Sequence, residues 1–454
     1  MKSIIIGSNC SGGGKTTFTL GFMKLLKNRG YSVCPYKVGP DYIDPAFHEK
    51  ITGNPSRNLD YFLQGESGIK AVYSRGKGEI GIIEGVMGVY DGMGATSEAS
   101  TAHVSQILDV PIVLVLTPKA SSVTFVAEVC GIIEFSQIDF AGIILNNITE
   151  GYYLLLKDIF DKKIDVPVLG YLPKDEGIAL RSRHLGLVQS MEVEDLEDKI
   201  SLAADLIEKN VDVDKLLDCL KETEKFNDNF HLRRRGLKIG VAKDKAFSFY
   251  YKENLELLEE IGEIKYFSPL EDESLPEKLD FIYIGGGYPE VFREELSKNT
   301  SFIENLKNRL EGGLPCYAEC GGLMYLMEQI EGEKMVGFFK GESIMTNRLN
   351  NFGYTFIDIK ENTLIRKPLK IRAHEFHKST INSDEKTVYT LEKKTFDGSS
   401  RSWKCGYIRK NTLGAYAHIH FFSNVEFLKE IINSCKERNR GIHQKSNGNR
   451  EQKL

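Results

Sequence analysis

The 454-residue sequence predicts two successive α/β domains, the first of them a parallel sheet built behind a phosphate-binding loop. Three observations predict this. Short runs of branched apolar residues recur between helical patterns, and a Gly-Gly-Gly-Lys turn follows the first run. A polar stretch at 221–235 then separates that series from a second one of the same texture.

In the first half, Ser3–Gly7 reads as a strand and Lys15–Arg29 as an amphipathic helix. Ile80–Glu84, Ile112–Leu116, Gly142–Asn146 and Val168–Leu172 read as further strands, too uniformly apolar to have a wet face, as expected of a parallel sheet covered on both sides. The segment KETEKFNDNFHLRRR, from Lys221 to Arg235, is almost free of aliphatic residues, and it places a boundary that divides the chain into 1–228 and 229–436. Beyond it, strand Leu237–Ala242, helix Glu253–Ile261, strand Phe281–Ile284, helix Phe302–Leu310 and strand Pro315–Ala318 restart the α/β pattern. The tail 437–454 lacks apolar anchors and reads as disordered.

The composition is that of an ordinary soluble protein, 41% hydrophobic and 27% charged with a net charge of −5, and it argues against nucleic acid as a partner. Arg233, Arg234 and Arg235 form the only dense basic cluster in mid-chain, which fits a solvated linker. No stretch approaches the roughly 18–20 apolar residues of a membrane span, and Ile4-Ile5-Ile6 is too short for a signal-peptide core. The eight cysteines show no CxxC pair, a pattern that suits reduced thiols in the cytoplasm.

Gly12, Gly13, Gly14, Lys15, Thr16 and Thr17 lie between the first strand and the first helix, where backbone N–H groups and a helix N-terminus can surround phosphates. Lys15 would neutralise the terminal phosphates and Thr16 would bind Mg²⁺. Asn9 stands where the strict GxxxxGK[ST] pattern has its first glycine, so the loop is a longer variant. Asp41 and Asp44, in KVGPDYIDP beside Lys37, and Glu84 and Asp91, in EGVMGVYDG, could each merely cap a loop. Four acids in two strand-end loops point instead to an acidic metal centre. An ATP-driven switch protein would carry the same loop.

In the second half, PCYAECGGL reads as a strand, a sharp turn and a helix, with Cys320 on the elbow. The Gly321 N–H would stabilise an oxyanion, and the helix N-terminus would lower the thiol's pKa, while Cys316 belongs to the core. Histidines are available in two places. Ala417–Phe421 reads as a short strand carrying His418 and His420 on one face, and His374 and His377 lie in RAHEFHKS. The residues alone do not rank the four, and the HxH pair lacks a third metal ligand nearby.

The strings SGGGKTT, KVGPDYIDPAFH, NLDYFL (58–63), EGVMGVYDG and RHLGLV (183–188) resemble the cobyrinic acid a,c-diamide synthase family, whose ATP domain has a dethiobiotin-synthetase-like fold. YAECGGLMYL, AYAHIHF and GGGYPE (285–290) resemble its class I glutamine amidotransferase domain. The resemblance implies ATP and Mg²⁺ at Lys15 and Thr16. It places Asp41, Asp44, Glu84 and Asp91 around metal, phosphoryl group and substrate carboxylate, and Tyr42 and Ile43 beside the substrate. It further implies an adenine contact by Asn146, for which a turn-forming Asn is the alternative, and a nucleophile–base pair Cys320 and His418. The backbones of Gly286, Gly287 and Gly321 would line the oxyanion hole. His420 replaces the glutamate of the usual His-x-Glu, which leaves the third member open. The implied chemistry is ATP- and glutamine-dependent amidation of cobyrinic acid in cobalamin biosynthesis. Residues 1–228 would activate the acid and 229–436 would release ammonia. Hydrogenobyrinic acid and nickel-sirohydrochlorin are alternative tetrapyrrole substrates, a pseudoenzyme is a further alternative, and the choice between monomer and homodimer stays open.

Overall fold

The computed structural model describes residues 1–179, 193–395 and 398–435. The RHLGLV string and the tail 437–454 lie outside the described residues. The chain divides into two compact units, Met1–Asn229 and Phe230–Leu454.

Eight strands form the sheet of the first unit: β1 (Lys2–Gly7), β2 (Val33–Val38), β3 (Arg57–Leu59), β4 (Ile80–Glu84), β5 (Ile112–Leu116), β6 (Phe140–Ile148), β7 (Val168–Pro173) and β8 (Lys221–Glu222). Their order is β3-β2-β4-β1-β5-β6-β7, all parallel, with β8 antiparallel to the start of β1. The connecting helices are α1 (Lys15–Asn28), α2 (Ile43–Thr52), α3 (Tyr61–Arg75), α4 (Thr101–Leu108), α5 (Val123–Glu134), α6 (Glu150–Asp161), α7 (Val193–Asn210) and α8 (Val213–Asp218). Strands β2, β4 and β5 are buried along their whole length, because crossover helices cover both faces of a parallel sheet. Ile4, Ile6, Val113, Val115 and Ile144 of the sheet pack with Phe18, Phe22 and Met23 of α1 and with Ile200, Ala204 and Ile207 of α7.

In the second unit β9 (Leu237–Ala242), β10 (Phe247–Phe249), α9 (Lys252–Ile261), β11 (Gly262–Phe267), β12 (Phe281–Ile284), β13 (Gly286–Gly287), α10 (Arg293–Lys298), α11 (Thr300–Glu311), β14 (Cys316–Glu319) and α12 (Gly321–Leu326) follow in turn. Then come β15 (Gln329–Ile330), β16 (Glu333–Lys334), β17 (Glu342–Ile359), β18 (Leu369–Asn382), β19 (Thr387–Lys394), β20 (Ser400–Arg409) and β21 (Thr412–Ala415). Strands β11, β9, β12, β14 and β21 are parallel neighbours, and β20, β19 and β17 continue the sheet antiparallel. The long β17–β18 pair carries two register breaks, at Met345/Asn350 and Asn350/Gly353. There the polar run TNRLNN interrupts the alternation that would mark a strand in sequence.

One sequence expectation is corrected here. Ala417–Phe421 is not a strand: His418 makes an isolated bridge to His374, and His420 caps a single turn of 3-10 helix at Phe421–Ser423. All eight cysteines are free thiols. No helix among the described residues is long and apolar enough to cross a membrane.

Candidate active sites

At the carboxyl ends of β1, β2 and β4, the loops quoted above converge. Gly14 precedes α1 at φ +95°, and a Cβ there would lie 2.1 Å from the Asn146 amide, so glycine is required both for backbone shape and for space. Asn146, buried inside β6, donates to Thr117 Oγ1 (2.8 Å), which itself donates to the Gly13 carbonyl (3.1 Å). Asn146 is thereby linked through Thr117 to the phosphate loop. The turn-like backbone belongs to its neighbour Asn147, at φ +56°.

Lys15 is buried, with Nζ donating to the carbonyls of Cys10 (2.9 Å) and Met87 (2.6 Å), so it ties the phosphate loop to the EGVMGVYDG loop. Burial, helped by nearby Lys37, brings its pKa down to about 8. Thr16 Oγ1 donates to Glu84 Oε1 at 2.6 Å, and Glu84 Oε2 lies 2.8 Å from His48 Nε2. Burial would push the Glu84 carboxyl up, but Lys37, His48 and Thr16 together outweigh it and hold the group well below the usual carboxylate range. Lys37 donates to the Gly85 carbonyl at 2.8 Å and sits 3.7 Å from Asp44, both side chains being buried.

The four acids thus divide. Asp44 and Glu84 are buried around Lys37, whereas Asp41 caps α2 through the amides of Ile43 (2.7 Å) and Asp44 (3.1 Å), and exposed Asp91 accepts from the Gly88 amide (2.9 Å). Tyr42 is the residue before α2 and Ile43 its first, both partly exposed, and Thr17 follows Thr16 in the first turn of α1. Asn58, the first residue of NLDYFL, donates to the carbonyls of Gly39 (2.9 Å) and Asp41 (2.7 Å), which fixes the loop that carries Asp41 to Asp44. Lys37 was visible in the motif, but His48 was not singled out, because its link to Glu84 spans 36 residues.

As a donor set this suits Mg²⁺. The ion takes hard oxygen ligands and is usually held by one or two protein carboxylates, with phosphates and waters completing the shell. Thr16 Oγ1 and Glu84 Oε1 are such oxygens, already 2.6 Å apart. Among the described residues no cluster of three or more Asp, Glu, His or Cys side chains that could hold a metal ion is present.

In the second unit Cys320 occupies the elbow between β14 and α12 with φ +49° and ψ −104°, a strained conformation for a non-glycine residue. Its amide is anchored to the Ala415 carbonyl (2.8 Å), and its thiol accepts from the Gly321 N–H. The GGGYPE turn packs against the start of α12, where the Gly322 amide donates to the Gly285 carbonyl (3.0 Å). A Cβ on Gly286 would lie 2.6 Å from His418 Cε1, and one on Gly321 would lie 2.8 Å from Pro289 and 3.2 Å from the Gly287 nitrogen. Gly286 is thereby brought beside His418, and Gly287 beside Gly321, the residue that follows Cys320. Cys316 is fully buried in the core.

The expectation of a thiol acidified by the helix N-terminus is corrected. Burial and the neighbouring Glu290 raise the Cys320 pKa above its ordinary value, and the Gly321 amide offsets only part of this. Burial brings the Glu290 carboxyl itself up to about 7. Behind the elbow lies a layer of buried histidines and acids. His418 stacks on His374 with ring centroids 5.1 Å apart, and His374 Nε2 meets the Tyr251 hydroxyl at 2.6 Å. Burial, with His418 and His420 close by, lowers the His374 pKa well below its ordinary value, so that ring is neutral. Glu319 Oε2 lies 3.6 Å from His418 Nδ1 and accepts from the Tyr283 hydroxyl (2.9 Å), while Oε1 accepts from the Ile419 amide (3.2 Å).

These geometries can be set beside known proteins. The CobQ/CobB/MinD/ParA nucleotide binding domain family matches residues 4–188, and the CobB/CobQ-like glutamine amidotransferase domain family matches 238–426. A cobyrinate a,c-diamide synthase of Clostridium acetobutylicum is 59% identical over 436 residues, covering 95% of this chain and 100% of that protein. The chain belongs to the cobyrinate a,c-diamide synthase family. Bearers of that name from Clostridium tetani and Listeria innocua are 57% and 44% identical, covering 95% and 96% of this chain and the whole of each relative. In this member of the cobyrinate a,c-diamide synthase family, the glutamine amidotransferase match contains Cys320, His418 and the GGGYPE turn, and the nucleotide-binding match contains the phosphate loop and the four acids.

Proposed function

We propose that the chain converts the a and c side-chain carboxylates of cobyrinic acid into amides for cobalamin biosynthesis, with ATP bound in 1–228 and glutamine in 229–436. One observation carries the reading. Relatives up to 59% identical over 95% of the chain bear the name of this reaction, and the two motif sets it needs occur here in order. The reaction belongs in the cytoplasm, where both co-substrates are found, and calls for neither nucleic acid nor a membrane.

A carboxylate resists amidation because oxide is a poor leaving group. Its oxygen attacks the γ-phosphorus of ATP, ADP departs, and the acyl phosphate then loses phosphate when ammonia attacks the carbonyl carbon. Lys15, the backbone amides of Gly12, Gly13 and Gly14, and Thr17 at the helix start bind the phosphates. Thr16 and Glu84 would hold Mg²⁺, which when bound supplies further neutralisation of phosphate charge. Asp44 and Lys37, in contact at their buried ends, orient the reacting carboxylate beside Tyr42 and Ile43, and Asp41 and Asp91 hold the shape of the two loops.

Ammonia comes from glutamine. Cys320 Sγ attacks the side-chain amide carbon as His418 removes the thiol proton and returns it to the departing nitrogen; water then hydrolyses the thioester to glutamate. Burial and Glu290 raise the pKa of the resting thiol, so the proposed step has His418 take its proton as Sγ attacks. Backbone amides of Gly286, Gly287 and Gly321 would receive the developing oxyanion.

Separating the two halves tests this reading. Cys320→Ala is expected to abolish glutamine-dependent amidation and to retain amidation from ammonium salts, whereas Lys15→Ala is expected to lose both. A Cys320→Ala variant that still uses glutamine would contradict the assignment, and so would a Lys15→Ala variant with normal ATP turnover.

A further inference from the structure

A histidine that accepts a thiol proton needs a partner at its other ring nitrogen, both to fix the tautomer and to stabilise the imidazolium. Two residues after His418 stands a second histidine, so the chain supplies no acid at that place. Three acids are buried within the histidine layer: Glu253, Glu319 and Glu375. Glu253 Oε2 lies 3.4 Å from His420 Nε2, and Glu375 Oε2 lies 3.4 Å from His377 Nε2 while its other oxygen accepts from Trp403 Nε1 (3.3 Å). Glu319 is the acid that faces His418, with Oε2 3.6 Å from Nδ1.

We propose that Glu319, the residue immediately before the nucleophile, is the positioning acid of the Cys320–His418 pair. The proposal rests on the functional reading above and deepens it. Strand β14 ends on Glu319, so a single backbone element sets both the acid and, one residue later, the thiol. The carboxylate is aimed by two further bonds. Tyr283, on neighbouring β12, donates its hydroxyl to Oε2, and the Ile419 amide donates to Oε1, which ties the acid to the backbone one residue from the base. The 3.6 Å separation is long for a hydrogen bond in the resting enzyme. It is the kind of contact that shortens when the ring gains its proton, since a cation and a carboxylate buried together attract strongly and geometry often tightens only in the complex. His420, held by Glu253 and with its Nδ1 accepting from the Phe422 amide, occupies the position of the usual acid without its chemistry.

The test compares Glu319→Gln with Glu253→Gln in the full-length protein. Glu319→Gln keeps the size of the side chain and removes the charge that selects the tautomer, so glutaminase kcat is expected to fall about 10²–10⁴-fold. KM for glutamine should stay within about threefold, since glutamine binding itself is untouched. Ammonium-dependent amidation should remain at the parent rate, and Glu253→Gln should alter kcat by less than about fivefold. A nearly unchanged kcat in Glu319→Gln would overturn the proposal, as would an equal loss in Glu253→Gln. The nitrogen-15 shifts of the His418 ring, identified by their absence in His418→Asn, add a readout that a packing role would not move: the Nδ1–H tautomer in the parent and its loss in Glu319→Gln. Should Glu319→Gln fail to fold, Tyr283→Phe takes its place. It leaves the carboxylate but releases one of its anchors, and a drop in kcat of about three- to tenfold at constant KM is expected, with no drop counting against the proposal. If Cys320→Ala or His418→Asn retained glutaminase, the underlying assignment would be at fault rather than the role of Glu319.

Discussion

Cys320 and Glu290 lie close enough for their charges to oppose each other. Glu290 is raised from an ordinary 4.5 to about 7 by burial, so it is neutral in mild acid and charged in mild base. Its charge is among the causes that hold the Cys320 thiol up, after burial itself. The sign follows: raising the pH through 7 ionises Glu290 and thereby resists formation of the thiolate. Glu290→Gln is therefore expected to speed alkylation of Cys320 by iodoacetamide several-fold above neutrality and to make little difference in mild acid. Peptide mass spectrometry of the labelled thiol measures this, and equal rates at all pH values would show that the two groups do not interact. Linkage runs the same way for folding. A raised carboxyl contributes stability that is complete below 4.5 and lost as the pH climbs to about 7.

At the scale of elements, function depends on turns where there is no room for a side chain. Gly286 is the sharpest case, since an added Cβ would sit 2.6 Å from His418 Cε1 and the imidazole would have to move. Gly286→Ala is expected to lower glutaminase kcat by about 10²-fold or more, as misplacement of a reacting group by roughly 1 Å does, and to leave ATP-dependent amidation from ammonium salts intact. An unchanged kcat would mean that the turn does not set the imidazole. The same scale shows what was legible in the sequence. Ile80–Glu84, Ile112–Leu116, Leu237–Ala242 and Phe281–Ile284 have the bounds read from their apolar runs, because a strand buried on both faces announces itself by composition alone. Strands β17 to β20 went unread. They alternate imperfectly, β17 and β18 pair with two register breaks around the polar run TNRLNN, and all hold their place by pairing with distant partners. Cys320 could be picked out because its glycine neighbours mark the elbow. The facing of Glu319 and His418, 99 residues apart (418 − 319), arises only when β14 is laid beside β21, the strand that leads to the histidine. His420 was misplaced on a strand face for a related reason. An HxH pattern resembles strand alternation, and only the Glu253 and Asn254 side chains of α9, bonded to His420 and Phe421, reveal the turn.

For the molecule as a whole, the account requires two chemistries in one chain, each within its own compact unit. On the proposed reading an acid is phosphorylated where Lys15, Thr16 and Glu84 converge, and nitrogen is released where Cys320 meets the GGGYPE turn. Family membership over 95% of the length ties the two together, and the first unit buries the Lys37–Asp44 and Glu84–His48 contacts beside Thr16 of the phosphate loop. Joining the two chemistries makes a claim about atoms: one carboxylate oxygen must leave with the phosphoryl group, and the nitrogen that replaces it must come from the glutamine side chain. The most direct test follows both atoms at once. Cobyrinic acid labelled with heavy oxygen in its carboxylates is incubated with ATP, Mg²⁺ and glutamine carrying heavy nitrogen in its amide, and the products are read by mass spectrometry. The account predicts a corrinoid with two new amides, both bearing heavy nitrogen, and one heavy oxygen in inorganic phosphate for each amide formed. Amides made without transfer of heavy oxygen to phosphate, or a corrinoid left unamidated while ATP and glutamine are consumed, would contradict it.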